Sequence, residues 1–105
     1  MSKYLGLIKV SADEASRMIR DGARSRRDFF ELVVRESGGT VEGYWLTNVG
    51  DWNIVCVVDM VDETPIGGAV AALQRRVAGL TEAERWIELA DVDDVAEWTS
   101  RANSP

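Results

Sequence analysis

Apolar and polar positions along this chain switch between a period of two and a period near 3.6. Tyr4 to Val10 is an aliphatic run with no turn former except Gly6, and it predicts a strand over residues 3–10. Ser11 follows, with Glu14 three residues on, the spacing of a capping box. Asp13 and Glu14 also suit the positive end of a helix dipole. Ala15, Ile19, Phe29, Phe30 and Val33 recur at roughly helical spacing, which predicts a helix over 12–37 that stops at Gly38-Gly39. Inside a helix, glycine costs about 1 kcal/mol relative to alanine, so Asp21-Gly22 predicts a kink or break near residue 22.

Two strands are predicted next, over 40–49 and 52–60, joined by Gly50-Asp51 with glycine in the first turn position. In the second of them, Trp52, Ile54, Cys56, Val58 and Met60 share one face, and Asn53, Val55, Val57 and Asp59 the other. An antiparallel strand with one wet side alternates cleanly. This one is apolar on both sides, so each face needs a cover. Thr64-Pro65 opens a second helix over 65–78, with Thr as N-cap and Pro at the first helical position. Thr81 to Leu89 reads two ways. Thr81 and Glu84 match a capping box, yet Arg85, Ile87 and Leu89 alternate with Glu84, Trp86 and Glu88, and the alternation predicts a strand over 82–89. Asp91 with Asp94 then caps a short helix over 92–101, carrying Val95 and Trp98 on one side.

The order β-α-β-β-α-β plus a terminal helix is the ferredoxin-like split βαβ arrangement. It is an α+β fold with a four-stranded antiparallel sheet and two helices on one face. The other face needs a lid, and little chain is left to supply one. A second copy would serve, giving a homodimer through the open sheet face, a dimeric α/β barrel. A single domain over residues 1–105 is expected at this length.

Composition narrows the chemistry. The 18 acidic and 12 basic side chains leave a net charge of -6, which argues against nucleic acid or an anionic membrane as partner. With no histidine and one cysteine, His-based triads, the common zinc sets and an intrachain disulfide are excluded, and neither metal nor cofactor is expected. Lys9 interrupts the first apolar stretch, and no run approaches the ~18 apolar residues of a membrane span. The expected setting is cytoplasmic.

Tyr44, Trp45, Trp52 and Trp86 could line a flat apolar pocket, although core and interface are the plainer roles for such residues. Tyr44 and Trp45 point to opposite faces, so at most one of them serves a given pocket. Of the cluster Arg17, Arg20, Arg24, Arg26 and Arg27, most read as a solvated helix face. Arg26 lies three or four positions from Gly22, Phe29 and Phe30, beside the apolar face, where it either snorkels or reaches into a pocket to hold a carboxylate or enolate oxygen. Cys56 has no cationic neighbour in sequence and reads as packing. Asp51 and Asp59 are the acid/base candidates near the hairpin, with turn and edge solvation as the simpler account. The seven acids between Glu82 and Glu97 lack calcium-loop spacing and read as solubilising.

The stretch from Gly43-Tyr44-Trp45 through Gly50-Asp51-Trp52-Asn53 to Asp59 resembles the GYD domain family, whose hairpin reads Gly-x-Tyr-Asp before a hydrophobic strand. The segment from Ala23-Arg24-Ser25-Arg26-Arg27 to Gly38-Gly39 is similar to that family's Arg-containing helix ending in Gly-Gly. Gly50 matches the turn motif; Trp52 and Asn53 stand where the family usually has Tyr and Asp. The resemblance implies a dimeric α/β barrel and no particular reaction. If family members use that Asp as an acid or base, Asn53 cannot repeat it, because an amide does not titrate, and any role there is hydrogen bonding.

The combined expectation is a homodimer binding a small, largely apolar or aromatic molecule through Tyr44, Trp52, Asn53, Arg26 and Trp86. One branch is a cofactor-independent cyclase, lyase, isomerase or oxygenase-like enzyme with Arg26, Asp59 and Asp51 as catalytic candidates. The alternative is a non-catalytic ligand-binding, sensor or assembly module.

Overall fold

The computed structural model describes residues 2–48, 50–61 and 68–103. Along the chain run β1 (Ser2–Val10), α1 (Ala12–Asp21), α2 (Ala23–Glu36), β2 (Gly39–Leu46), β3 (Ile54–Met60), α3 (Gly68–Val77), β4 (Thr81–Leu89) and α4 (Val92–Ala102). The strands form one sheet in the order β2-β3-β1-β4, each neighbour antiparallel. This is the ferredoxin-like βαββαβ topology, with an extra helix at the C-terminal end.

Register decides which residues face the helices. Gly6 and Ile8 of β1 stand opposite Cys56 and Ile54 of β3, and Tyr44 of β2 stands opposite Cys56 from the other side. These positions point towards α2 and α3, which send Phe30, Val33, Val34, Ala69, Leu73 and Val77 into the core. Burying one such aliphatic side chain contributes roughly 1.5–3 kcal/mol, so this layer holds the domain together. Gly6 is there because nothing larger fits. A Cβ on it would lie 2.5 Å from the Trp86 ring and 2.8 Å from Cys56 Sγ.

Gly22 turns the expected long helix into two. Its φ of 91° lies where a side chain is strained, and its N–H closes α1 on the Met18 carbonyl at 3.0 Å. The turn falls at Gly50-Asp51 as the sequence signals, but the strands stop at Leu46 and resume at Ile54, short of the predicted 40–49 and 52–60. The loop closes through Thr47 N–H donating to the Asn53 carbonyl at 2.8 Å. Asn53 is itself tied to β1: its N–H donates to the Ile8 carbonyl at 2.9 Å, and its Oδ1 accepts from Val10 N–H at 3.0 Å. The Thr64-Pro65 cap falls outside the described residues.

The odd-numbered side of the sheet is a different surface. Leu5, Leu7, Val55 and Val57 are half-buried there, and Trp45 is 56% exposed. None of the described helices covers them. In β2 the register slips between Val41 and Gly43, leaving Glu42 as an extra residue at a bulge. Among the described residues, no helix is long and apolar enough to cross a membrane.

Candidate functional site

The most built part of the molecule lies where α1 and α2 meet the sheet. Ser11 caps α1, its Oγ accepting from Glu14 N–H at 3.1 Å. The capping box stays half-formed, because Ser11 N–H donates to the Leu80 carbonyl at 3.0 Å. Glu14 is thus free to turn inward. Its carboxylate receives a two-pronged fork from Arg26, Nε to Oε2 at 2.9 Å and Nη2 to Oε1 at 2.7 Å. Glu14 is 7% exposed. Arg17 stands further off, Nη1 to Glu14 Oε1 at 3.6 Å. The Arg26 guanidinium also lies over the Phe29 ring, 4.5 Å from its centroid.

The Gly22 break makes this meeting possible. Positions 14 and 26 of one straight helix would lie about 18 Å apart at 1.5 Å per residue. The change of direction at Gly22 brings them into hydrogen-bond contact.

Behind the fork is an apolar cleft of about 30 Å³, walled by Phe29, Phe30 and Val33 from α2 and floored by Ile8 and Ile54 from the sheet. Tyr44 closes one side, its ring 5.5 Å from that of Phe30 at an angle of 47°. Burial, helped by nearby Cys56 and Glu14, pushes the Tyr44 phenol up to about 12. At neutral pH the phenol keeps its proton and can donate a hydrogen bond but cannot act as a base. Tyr44 also borders a separate, wider groove of about 290 Å³, with Arg24, Arg27 and Leu46 around it. Arg27 is engaged by Asp28 at 3.1 Å and Glu31 at 3.8 Å.

Of the residues singled out from the sequence, Tyr44 and Arg26 share this cleft. The rest stand elsewhere. Trp86 lies across Gly6 on the helix side of the sheet and donates its Nε1–H to Glu84 Oε1 at 2.7 Å. Asn53 clamps the loop to β1, Trp52 is half-buried beside it, and Asp51 is exposed in the turn with Gly50. Asp59 is on the open sheet face beside Glu42; a proton shared between the two carboxyl groups raises Asp59 and lowers Glu42 from their ordinary carboxylate values. Lys3 pairs with Glu42 from the other side, Nζ to Oε2 at 3.0 Å. Cys56 is buried and its thiol is pushed up to about 12 by that burial, so it is not a nucleophile. Among the described residues, no group of three His, Cys, Asp or Glu side chains could hold a metal ion.

Glu14 is the site residue that sequence reasoning missed. Ser-x-x-Glu is a helix-start signal whether or not the carboxylate returns to the cap. The usable pointer was Arg26 itself, since an arginine on an apolar face needs a carboxylate.

Neither a protein-family model nor a curated protein matches the sequence. Among solved structures, the fold is similar to the crystal structure of an uncharacterized NIPSNAP domain protein from Burkholderia xenovorans. The two share 14% of residues over 88% of this chain and 95% of that chain, with a TM-score of 0.49.

Proposed function

We propose that this chain is a small-molecule-binding protein that works as a homodimer, with the ligand site in the cleft between α1–α2 and the sheet. The observation that carries the ligand reading is the Glu14–Arg26 fork. A buried ion pair adds little stability over an apolar pair of similar volume. Its position at the inner edge of an apolar cleft, beside a neutral phenol, is better accounted for by a ligand. The fitting molecule is small, with an aromatic or aliphatic body and one oxygen able to accept from Arg26 or Tyr44. The closed cleft holds about one water's worth of space, so the ligand enters by displacing Phe29, which is already 39% exposed.

A ligand oxygen that takes over Arg26 releases Glu14 as a base inside the cleft. With Tyr44 protonated beside it, the three groups suit proton abstraction next to a carbonyl, the chemistry of cofactor-independent isomerases, lyases and cyclases. The homodimer is supported by the apolar open face, where Trp45, Ile87 and Leu89 are exposed at 56%, 38% and 37%. The GYD resemblance supports the same assembly.

A second reading, a non-catalytic assembly module, is favoured by the small cleft volume. A thermal-shift screen of small aromatic and aliphatic carboxylates, with their neutral amides as controls, separates the two. The ligand reading expects stabilisation by carboxylates that is lost in Tyr44→Phe and Arg26→Lys. No shift with any compound, from a chain that is dimeric in sedimentation, leaves the assembly reading.

A further inference from the structure

Every described residue from Ile87 onward is exposed, α4 included. Val92, Val95 and Trp98 are 80%, 48% and 69% exposed. The helix is nevertheless well made. Asp91 Oδ1 accepts from Asp93 N–H at 2.8 Å, Thr99 Oγ1 donates to the Val95 carbonyl at 2.8 Å, and Glu97 pairs with Arg101 one turn on. At 3.6 residues per turn, Val92, Val95, Ala96, Trp98, Thr99 and Ala102 fall within an arc of about 160°, with the charged residues opposite. An 11-residue helix standing alone is marginal in water, and its stability ordinarily comes from packing such a face. On its own chain it has nothing to pack against among the described residues.

We infer that α4 packs its Val92–Val95–Trp98 face on a second copy of this chain, within the same two-fold dimer that buries the open sheet face. The inference rests on the homodimer reading above. Three observations converge on that occupant.

The first is position. The start of α4 borders a polar groove of about 480 Å³ with Lys3, Asp59 and Leu89 at one end of the open face, and the chain extends 61 Å along its longest axis against 31 and 20 Å across.

The second is area. Four strands about 4.8 Å apart and some 25 Å long project roughly 500 Å², short of the about 800 Å² per partner that a standard stable interface buries. An apolar strip from α4 enlarges that surface, and two-fold symmetry counts the contribution twice.

The third is charge. Arg85 sits on the open face opposite Leu7 and has no ion-pair partner among the described residues. Asp94, which flanks Trp98 on α4, has no side-chain partner among them either. The dimer brings Asp94 to the partner's Arg85.

Sedimentation equilibrium on the full chain tests this, with the variants Trp98→Ala, Trp45→Glu, Asp94→Arg, Arg85→Asp and the last two combined. The expected results are a wild-type dimer, dissociation by Trp45→Glu, and a dimer Kd raised at least about a hundredfold by Trp98→Ala, which removes two buried indoles per dimer. Monomer melting temperature stays unchanged in Trp98→Ala, because α4 packs on nothing in its own chain. Asp94→Arg and Arg85→Asp each weaken the dimer, and the combination recovers it. A wild-type dimer indifferent to Trp98→Ala overturns the α4 assignment and leaves the homodimer standing. A wild-type chain that is monomeric throughout overturns both. Failure of the combined variant to recover overturns the placement of α4 against Arg85.

Discussion

The Glu14 carboxylate and the Arg26 guanidinium meet across the Gly22 break in two parallel bonds of 2.9 and 2.7 Å, although twelve residues separate them in sequence. The pair fastens α1 to α2 and forms the polar edge of the cleft. Removing one partner leaves a largely buried charge. Glu14→Gln is expected to cost roughly 3 kcal/mol, the low end for breaking a buried pair. Replacing both groups, as in Glu14→Leu with Arg26→Met, should restore most of that loss. Urea unfolding of the three proteins checks this. A double variant no more stable than the single one means that the pair is there for stability.

Gly6 and Trp86 give a packing prediction. Gly6→Ala forces the new methyl into the indole at 2.5 Å and Cys56 Sγ at 2.8 Å, and is expected to destabilise by about 1–3 kcal/mol, the usual range for overpacking. Combining it with Trp86→Leu should recover part of the loss. Thermal unfolding of the single and double variants reads the coupling.

Tyr44 and Cys56 set the alkaline limit of stability. Their ordinary values of 10.0 and 9.0 rise to about 12 in the fold because burial disfavours both anions. The folded chain therefore holds these protons more tightly than the unfolded one. Their contribution is intact below pH 9 and is lost as pH climbs from 9 towards 12. Denaturant midpoints measured across that window should fall, and fall less steeply in Tyr44→Phe and Cys56→Ala. In the native state Cys56 should resist thiol reagents until the chain unfolds.

Asn53 separates a structural clamp from a site residue. Its Oδ1 accepts the Val10 N–H at 3.0 Å. Asn53→Ala is expected to cost about 1 kcal/mol, the net worth of one such hydrogen bond. Asn53→Asp keeps the acceptor and should cost less. Neither variant is expected to alter a ligand-induced thermal shift, which depends on Tyr44 and Arg26.

The strand and helix order, the break at Gly22 and the doubly apolar β3 were readable because each rests on local chemistry. Backbone freedom at glycine and the alternation Ile54, Val55, Cys56, Val57, Val58 are properties of neighbours in sequence. Gly50-Asp51 marked the turn without saying where the ladder ends, so the two strands are shorter than their pattern suggests. Asn53 reads as a strand residue by its spacing, yet its side chain clamps the loop to Val10 of β1, a partner 43 residues away. Glu14 was hidden for the same reason. Its spacing from Ser11 is local, whereas its use is set by Arg26 on the other side of the Gly22 break.

The sequence by itself determined the ferredoxin-like order and the absence of histidine among the groups available for chemistry. Tertiary structure alone decided which of those groups meet. It placed Tyr44 and Arg26 with Glu14 in one cleft and sent Asp59 to the open face and Trp86 over Gly6. Side-chain encounters follow from strand register and helix packing, and neither is written in the spacing of residues along the chain.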